Sequence, residues 1–368
     1  MHEDETSGEI NLNLDLDSFN INNTGTSFSV TLNSDDEFEI HYGDGTSDTY
    51  SGADIGSDKL FTKTYPDSST RTITITNTDY LKTFSSALNN FDFNIQDLPS
   101  NLVSFSCLGS NVIYGDIQNF PANLEIFECY GSNTVSGDIQ NLPASLRYFK
   151  CYGSNTVSGD IQNLPASLID FSCYGSNTVT GDIQYLPANL GYFRCSGNNT
   201  VYGDIQNFPA NLEIFECYGS NTVSGDIQNF PAILRYFKCE GINTISGDIQ
   251  NFPASLRNFS CYGSNTVTGD IQYLNEDLVE FRCDGQSSII YSSGYSINDL
   301  SSLIALGTGS LTTTMIDNLL IDIDSYGGDV SGAGIDISGL NEPRSSASDT
   351  ALSNLIAKNA TVIVNEPI

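Results

Sequence analysis

The sequence predicts a mainly β chain in three parts. These are a β-sandwich over residues 1–80, a solenoid of stacked 22-residue coils over 81–291, and a helix-containing cap over 292–368. Three observations carry this. All nine cysteines, at 107, 129, 151, 173, 195, 217, 239, 261 and 283, stand 22 residues apart, and a fixed spacing of that length marks one supersecondary unit stacked on copies of itself. Before them, apolar residues alternate with polar ones. After them, an apolar stripe follows the helical period.

The first part alternates at Ile10, Leu12, Leu14 and Leu16, at Phe28, Val30 and Leu32, at Phe38, Ile40 and Tyr42, and at Ile73 and Ile75. Period-two apolar positions between Asn, Gly and Asp clusters read as antiparallel strands with one buried face. Tyr42-Gly-Asp-Gly-Thr46 is a tight turn whose glycines supply positive φ. With the Tyr65-Pro66 turn feeding a Thr/Ile strand, this stretch resembles the polycystic-kidney-disease-type immunoglobulin-like sandwich. The resemblance implies a spacer or adhesion module, with Asp44 a turn former rather than an ion ligand.

In the solenoid one rung is Leu146, Phe149 and Cys151, in which Phe and Cys alternate around Lys150 as in a short strand. It recurs from Leu102/Phe105/Cys107 to Leu278/Phe281/Cys283, with outlying versions at Leu81/Phe84/Ser86 and Leu300/Leu303/Ala305, giving about ten to thirteen coils. After the cysteines from 107 to 261 come Gly at +2, Asn at +4, Val or Ile at +6, Gly at +8, Asp at +9 and Ile at +10, with a Pro at +14 of the rungs from Pro99 through Pro253. Leu, Phe and Cys are expected inside, closed from the far side by Val and Ile. The Asn amide is expected to satisfy backbone groups where the chain turns, the glycines to supply turns, and Pro to exclude helix. The run Leu-x-x-Phe-x-Cys-x-Gly-x-Asn-x-Val-x-Gly-x-Ile-x-x-x-Pro resembles the leucine-rich repeat, with one extra residue before the Asn. The resemblance covers well over half the chain.

In the last part Met315, Ile316, Leu319, Leu320 and Ile323 predict a helix within 312–325. Gly334–Asn341 reads as a strand whose Ile337-Ser-Gly-Leu-Asn341 matches Cys151-Tyr-Gly-Ser-Asn155 in register. Ser345–Lys358 reads as a second helix with Leu352, Leu355 and Ile356 inward, and Thr361–Val364 as a closing strand. This alternation is similar to leucine-rich coils of ribonuclease-inhibitor style, and to segments of surface and tail-associated proteins of Bacteroidetes and their phages. The latter likeness implies a virion surface or, alternatively, a bacterial cell surface.

Forty-five acidic against 13 basic residues give a net charge of −32. That argues against nucleic-acid binding and adsorption to anionic membranes, and favours solubility. No apolar run approaches a membrane span. The N-terminus lacks a secretory signal pattern, so the chain is expected to avoid general secretion or to have lost a leader. An odd, evenly spaced cysteine set fits reduced core thiols better than disulfides or a redox ladder. Zinc is unsupported, because no Cys-x-x-Cys pairs occur.

The aspartates at 116, 138, 160, 182, 204, 226, 248 and 270 form a column of like charges. Neighbours repel by roughly 1 kcal/mol or less if exposed, which turn amides or a line of weakly bound cations would offset. No other cofactor is indicated. No catalytic set emerges either: His2 and His41 lie outside the solenoid, and phosphate-loop, nucleophile-elbow and His-Glu-x-x-His motifs are absent.

The informative column precedes each Cys: Ser106, Glu128, Lys150, Ser172, Arg194, Glu216, Lys238, Ser260, Arg282. It repeats every 88 residues, and residues 119–141 and 207–229 are identical, so a four-coil unit is duplicated. Flanking positions add Tyr148, Tyr192 and Tyr236, and Tyr130, Tyr152, Tyr174, Tyr218 and Tyr262. Glu128–Lys150 and Glu216–Lys238 pairs would stabilise the ladder. Aromatic rings beside cations also suit a host-surface glycan, a protein, or neighbouring virion components. The candidate partner-binding residues are therefore these eight tyrosines with Lys150, Arg194, Lys238 and Arg282.

Overall fold

The computed structural model describes residues 17–365 apart from 88, 89, 286, 296, 299 and 306–309. The strand expected at Ile10–Leu16 lies outside them. The chain begins with β1 (Ser18–Asn23), β2 (Ser27–Ser34), β3 (Phe38–His41), β4 (Ser47–Tyr50), β5 (Lys59–Thr64), β6 (Arg71–Thr76), β7 (Leu81–Ser86) and β8 (Phe91–Asn94). Eight 13-residue strands follow: β9 (Ser104–Asp116), β10 (Ile126–Asp138), β11 (Tyr148–Asp160), β12 (Asp170–Asp182), β13 (Tyr192–Asp204), β14 (Ile214–Asp226), β15 (Tyr236–Asp248) and β16 (Asn258–Asp270). The expectation of a short strand around Phe and Cys is thus corrected. Each strand continues past the cysteine, turns a corner and runs along the second side of the coil.

The corner explains the glycines, which lie within the strands rather than in turns. Phe127 pairs with Phe149, but Asn133 pairs with Gly153 and Ser136 with Thr156, so the register slides by two residues between the two sides. Gly153 has φ +148°, and a Cβ there would stand 2.5 Å from the Asn133 carbonyl oxygen. No larger residue fits without moving backbone. Beside it the ladder Asn of a central coil joins three coils. Asn155 Oδ1 accepts the Val135 N–H at 2.9 Å, while its Nδ2 donates to the carbonyls of Cys151 at 3.1 Å and Tyr174 at 2.9 Å.

The return leg is a 3₁₀ turn such as Ile139–Asn141, placed just before the Pro. The aspartate column caps these turns: Asp138 Oδ1 accepts the Gln140 N–H at 2.9 Å, and the other seven aspartates do the same for the glutamines two residues on. Inside, the phenylalanines from Phe84 to Phe281 stack one per coil, with centroids 5.4–5.9 Å apart and planes within 10–22°. All nine cysteines are buried.

The N-terminal strands form the two layers of a sandwich whose sheets run on into the solenoid. In one layer β4 pairs β3, β3 pairs β6, β6 pairs β1, and β1 pairs β8, which joins the far side of β9. In the other, β5 pairs β2 and β2 pairs β7, which joins the near side of β9. Phe19 packs edge-on against Phe84 and Phe93, closing the open end of the apolar stack. Asp44 forms the turn expected of it: it accepts the Thr46 N–H at 3.0 Å, between glycines of positive φ. Its carboxyl is held down to about 2 by the Thr46 hydroxyl and Lys63.

At the other end come β17 (Glu280–Gly285), β18 (Ser288–Ile290), β19 (Ser302–Ala305), α1 (Thr313–Tyr326), β20 (Gly334–Asp336), α2 (Asp349–Ala357) and β21 (Thr361–Ile363). β17, β19, β20 and β21 extend the near-side sheet in parallel. Asn341 repeats the ladder role: its Nδ2 donates to the Ile337 carbonyl at 3.1 Å and its Oδ1 accepts the Leu311 N–H at 3.2 Å. α1 starts on Thr312, whose hydroxyl accepts the Met315 N–H, and stops at Gly327 with φ +81°. In the shorter α2 the buried face is Ala351 and Leu355, while Ile356 is 55% exposed. The inward placement expected of Ile356 is corrected, because a helix entering at Asp349 sets residue 356 about 100° past Leu355.

Candidate functional site

All twelve candidate residues lie half-buried on the near-side face of the coils. Tyr130, Tyr148, Lys150, Tyr152, Tyr192 and Arg194 converge on one open depression of about 600 Å³, completed by Ile169 and Asp170. The other six, Tyr174, Tyr218, Tyr236, Lys238, Tyr262 and Arg282, lie outside it.

The depression follows from a change of side-chain length in one column. From Phe127 on, the residue before each core Phe reads Ile126, Tyr148, Asp170, Tyr192, Ile214, Tyr236, Asn258, Glu280. Tyr148 and Tyr192 are two coils apart, roughly 10 Å at the usual strand spacing, with the short Asp170 between them in register. Asp170 is only 5% exposed and accepts the Ser172 hydroxyl at 2.6 Å. Lys150 Nζ lies 3.6 Å and Arg194 Nη1 3.9 Å from its two oxygens. Burial pushes the Asp170 pKa up, and Ser172, Lys150 and Arg194 offset this only in part. A buried charge unlike its neighbours in a repeat column was visible in the sequence, and that signal was missed.

Both cations are also held from the sides. Lys150 bonds Glu128 at 2.8 Å, and Arg194 Nε lies 3.7 Å from Glu216. Burial disfavours the Lys150 ammonium, but Glu128 and Asp170 outweigh it, so its pKa is raised. Lys150 lies 5.4 Å over the Tyr148 ring and Arg194 5.1 Å over the Tyr192 ring. The Tyr130–Tyr152–Tyr174 column is itself a stack, with centroids 4.3 and 4.7 Å apart. These rings cover one another's faces, so the column presents edges and hydroxyls. Burial and the neighbouring Tyr130 push the Tyr152 phenol up to about 12.

The second unit is built differently. Glu216 does not bond Lys238 there; Lys238 reaches Glu280, two coils on, at 2.8 Å. Asn258 Nδ2 donates to the same carboxylate at 3.0 Å, and Arg282 lies 4.3 Å over Tyr262. Among the described residues no group of three or more His, Cys, Asp or Glu is placed to hold a metal ion, and no helix is long and apolar enough to cross a membrane.

Rungs of parallel strand every 22 residues, an Asn ladder and a capped return leg define the class: this is a leucine-rich-repeat solenoid. No family model and no curated protein matches the chain. Among solved structures it is similar to a plant peptide hormone receptor, RGFR1, in complex with RGF2. That likeness has 19% identity and a TM-score of 0.47, over 73% of this chain and 48% of that one, so the chain spans about half the receptor's length.

Proposed function

We propose that the chain is a non-enzymatic recognition protein whose first four-coil unit holds a surface-displayed glycan or protein at the Tyr148–Asp170–Tyr192 depression. The observation that carries this is Asp170, a buried carboxylate between two cations on the floor of an open, tyrosine-rimmed cavity. Burying a charge is costly, and the second unit keeps the same coil with Asn258 in its place. The fold therefore does not need the charge. The phage-like and polycystic-kidney-disease-type resemblances support a virion surface, or alternatively a bacterial cell surface, with the N-terminal strands as the spacer. A test is binding of labelled full-length chain to intact bacteria, with Lys150→Ala and Tyr192→Ala as controls. Binding reduced at least tenfold in both variants supports the reading; equal binding by all three chains overturns it. Presence in density-purified phage particles, measured by mass spectrometry, checks the location.

A second reading is architectural. The charged pairs Glu128–Lys150–Asp170 and Arg194–Glu216 favour it, since cross-strand charges stabilise a parallel stack. The chain would then be a spacer within a larger assembly, and no surface ligand would bind the depression.

A further inference from the structure

We infer that the depression takes one neutral sugar residue of a glycan. The inference rests on the recognition reading above and narrows its ligand. The first ground is charge. Lys150 is shared by Glu128 and Asp170, and Arg194 by Asp170 and Glu216. These five groups sum to one net negative charge, so an anion meets no unpaired cation, and it would be set against Asp170. A cation would have to displace Lys150 or Arg194 from the carboxylates that hold them. What remains is a ligand that both donates and accepts: hydroxyls that give a hydrogen bond to Asp170 and receive one from Lys150 or Arg194, between the apolar bodies of Tyr148 and Tyr192. Two walls roughly 10 Å apart leave about the thickness of one pyranose ring once each wall's own van der Waals radius is removed.

The second ground is the duplicate. At the equivalent place in the second unit, Asn258 replaces Asp170 and Glu280 replaces Tyr192. The Glu280 carboxylate lies between Lys238 Nζ at 2.8 Å and Asn258 Nδ2 at 3.0 Å. With an uncharged floor, this copy of the notch holds an anion, and the anion is its own. Two substitutions thus separate an open notch that excludes anions from one filled from within. Positions 170 and 192 determine specificity, and the chain carries one site rather than two.

The test uses full-length protein on an immobilised panel of neutral gluco-, galacto-, manno- and N-acetylglucosamine oligosaccharides, with sialylated and uronate-containing oligosaccharides beside them. At least one neutral member is expected to bind, with one site per chain by titration calorimetry, and the acidic members are not. Asp170→Asn and Tyr192→Glu each weaken that binding at least tenfold while circular dichroism remains that of the parent and the melting temperature is no lower. In the double variant Asn258→Asp/Glu280→Tyr the number of sites rises from one to two. Preference for the acidic members, or binding indifferent to Asp170→Asn, overturns the inference. So does binding to cells that protease treatment abolishes and Tyr192→Ala weakens; that outcome leaves the recognition reading standing with a protein ligand. Absence of any binding to panel and cells overturns both.

Discussion

Asp170 ties site to stability. Its pKa is raised above the usual carboxylate value by burial, so ionising it costs the folded state. Below about pH 4, where the carboxyl is also protonated in the unfolded chain, that cost is absent. It grows as pH rises toward the folded-state pKa and is complete above it. Asp170→Asn is therefore expected to leave the melting temperature at pH 7 unchanged or higher, with the difference vanishing in acid, as scanning fluorimetry from pH 3 to 8 would show. A fall of several degrees at pH 7 would mean that the pairs with Lys150 and Arg194 outweigh burial. At the same scale, burial pushes the thiols of Cys107, Cys151, Cys173, Cys195, Cys217 and Cys239 well above their ordinary value. Iodoacetamide at pH 8 is expected to label none of these six in the native protein and all of them in guanidinium, read by mass spectrometry.

At the scale of the coil, the Asn ladder is the least replaceable element. Asn155→Ala leaves the Val135 N–H and the Tyr174 carbonyl without their buried partners, at a cost of roughly 2–4 kcal/mol. In a stack of nearest-neighbour coils such a defect also splits cooperativity. Urea melts are expected to shift to lower midpoints with a shallower slope; an unchanged midpoint would show that other donors replace the amide. Much of this was legible in advance. Twenty-two-residue repetition turns position into direction, so the sequence alone places the Phe, Cys, Asn and Asp columns. The corner was not legible. Glycine within a polar run reads as a turn, and only the register slide between Cys129 and Asn133 shows it to be a strand brought against its neighbour. The Glu216–Lys238 pair was misplaced for a related reason. Lateral neighbours were assumed to bond, whereas Lys238 has a longer-range partner in Glu280.

On the scale of the whole molecule, the expected three parts conceal a shared sheet. β1 and β2 each hydrogen-bond to strands on both sides of residue 80. A chain lacking residues 17–80 would expose the edges of β7 and β8 and uncover Phe84 and Phe93, a template for edge-to-edge pairing. It is expected to aggregate on size-exclusion chromatography; a monodisperse fragment would show that the solenoid closes itself. Continuity of this kind was hidden in the sequence because period-two strands and 22-residue coils give unrelated signals where they meet.

That continuity has a mechanical consequence. Two sheets passing unbroken from the first strands into the coils leave no pivot between them, since bending there would shear backbone hydrogen bonds in both layers at once. Whatever anchors the N-terminal strands therefore sets the height and heading of the depression four to six coils away. Load applied at Asp170 would pass to the base as through a stiff lever rather than a tether.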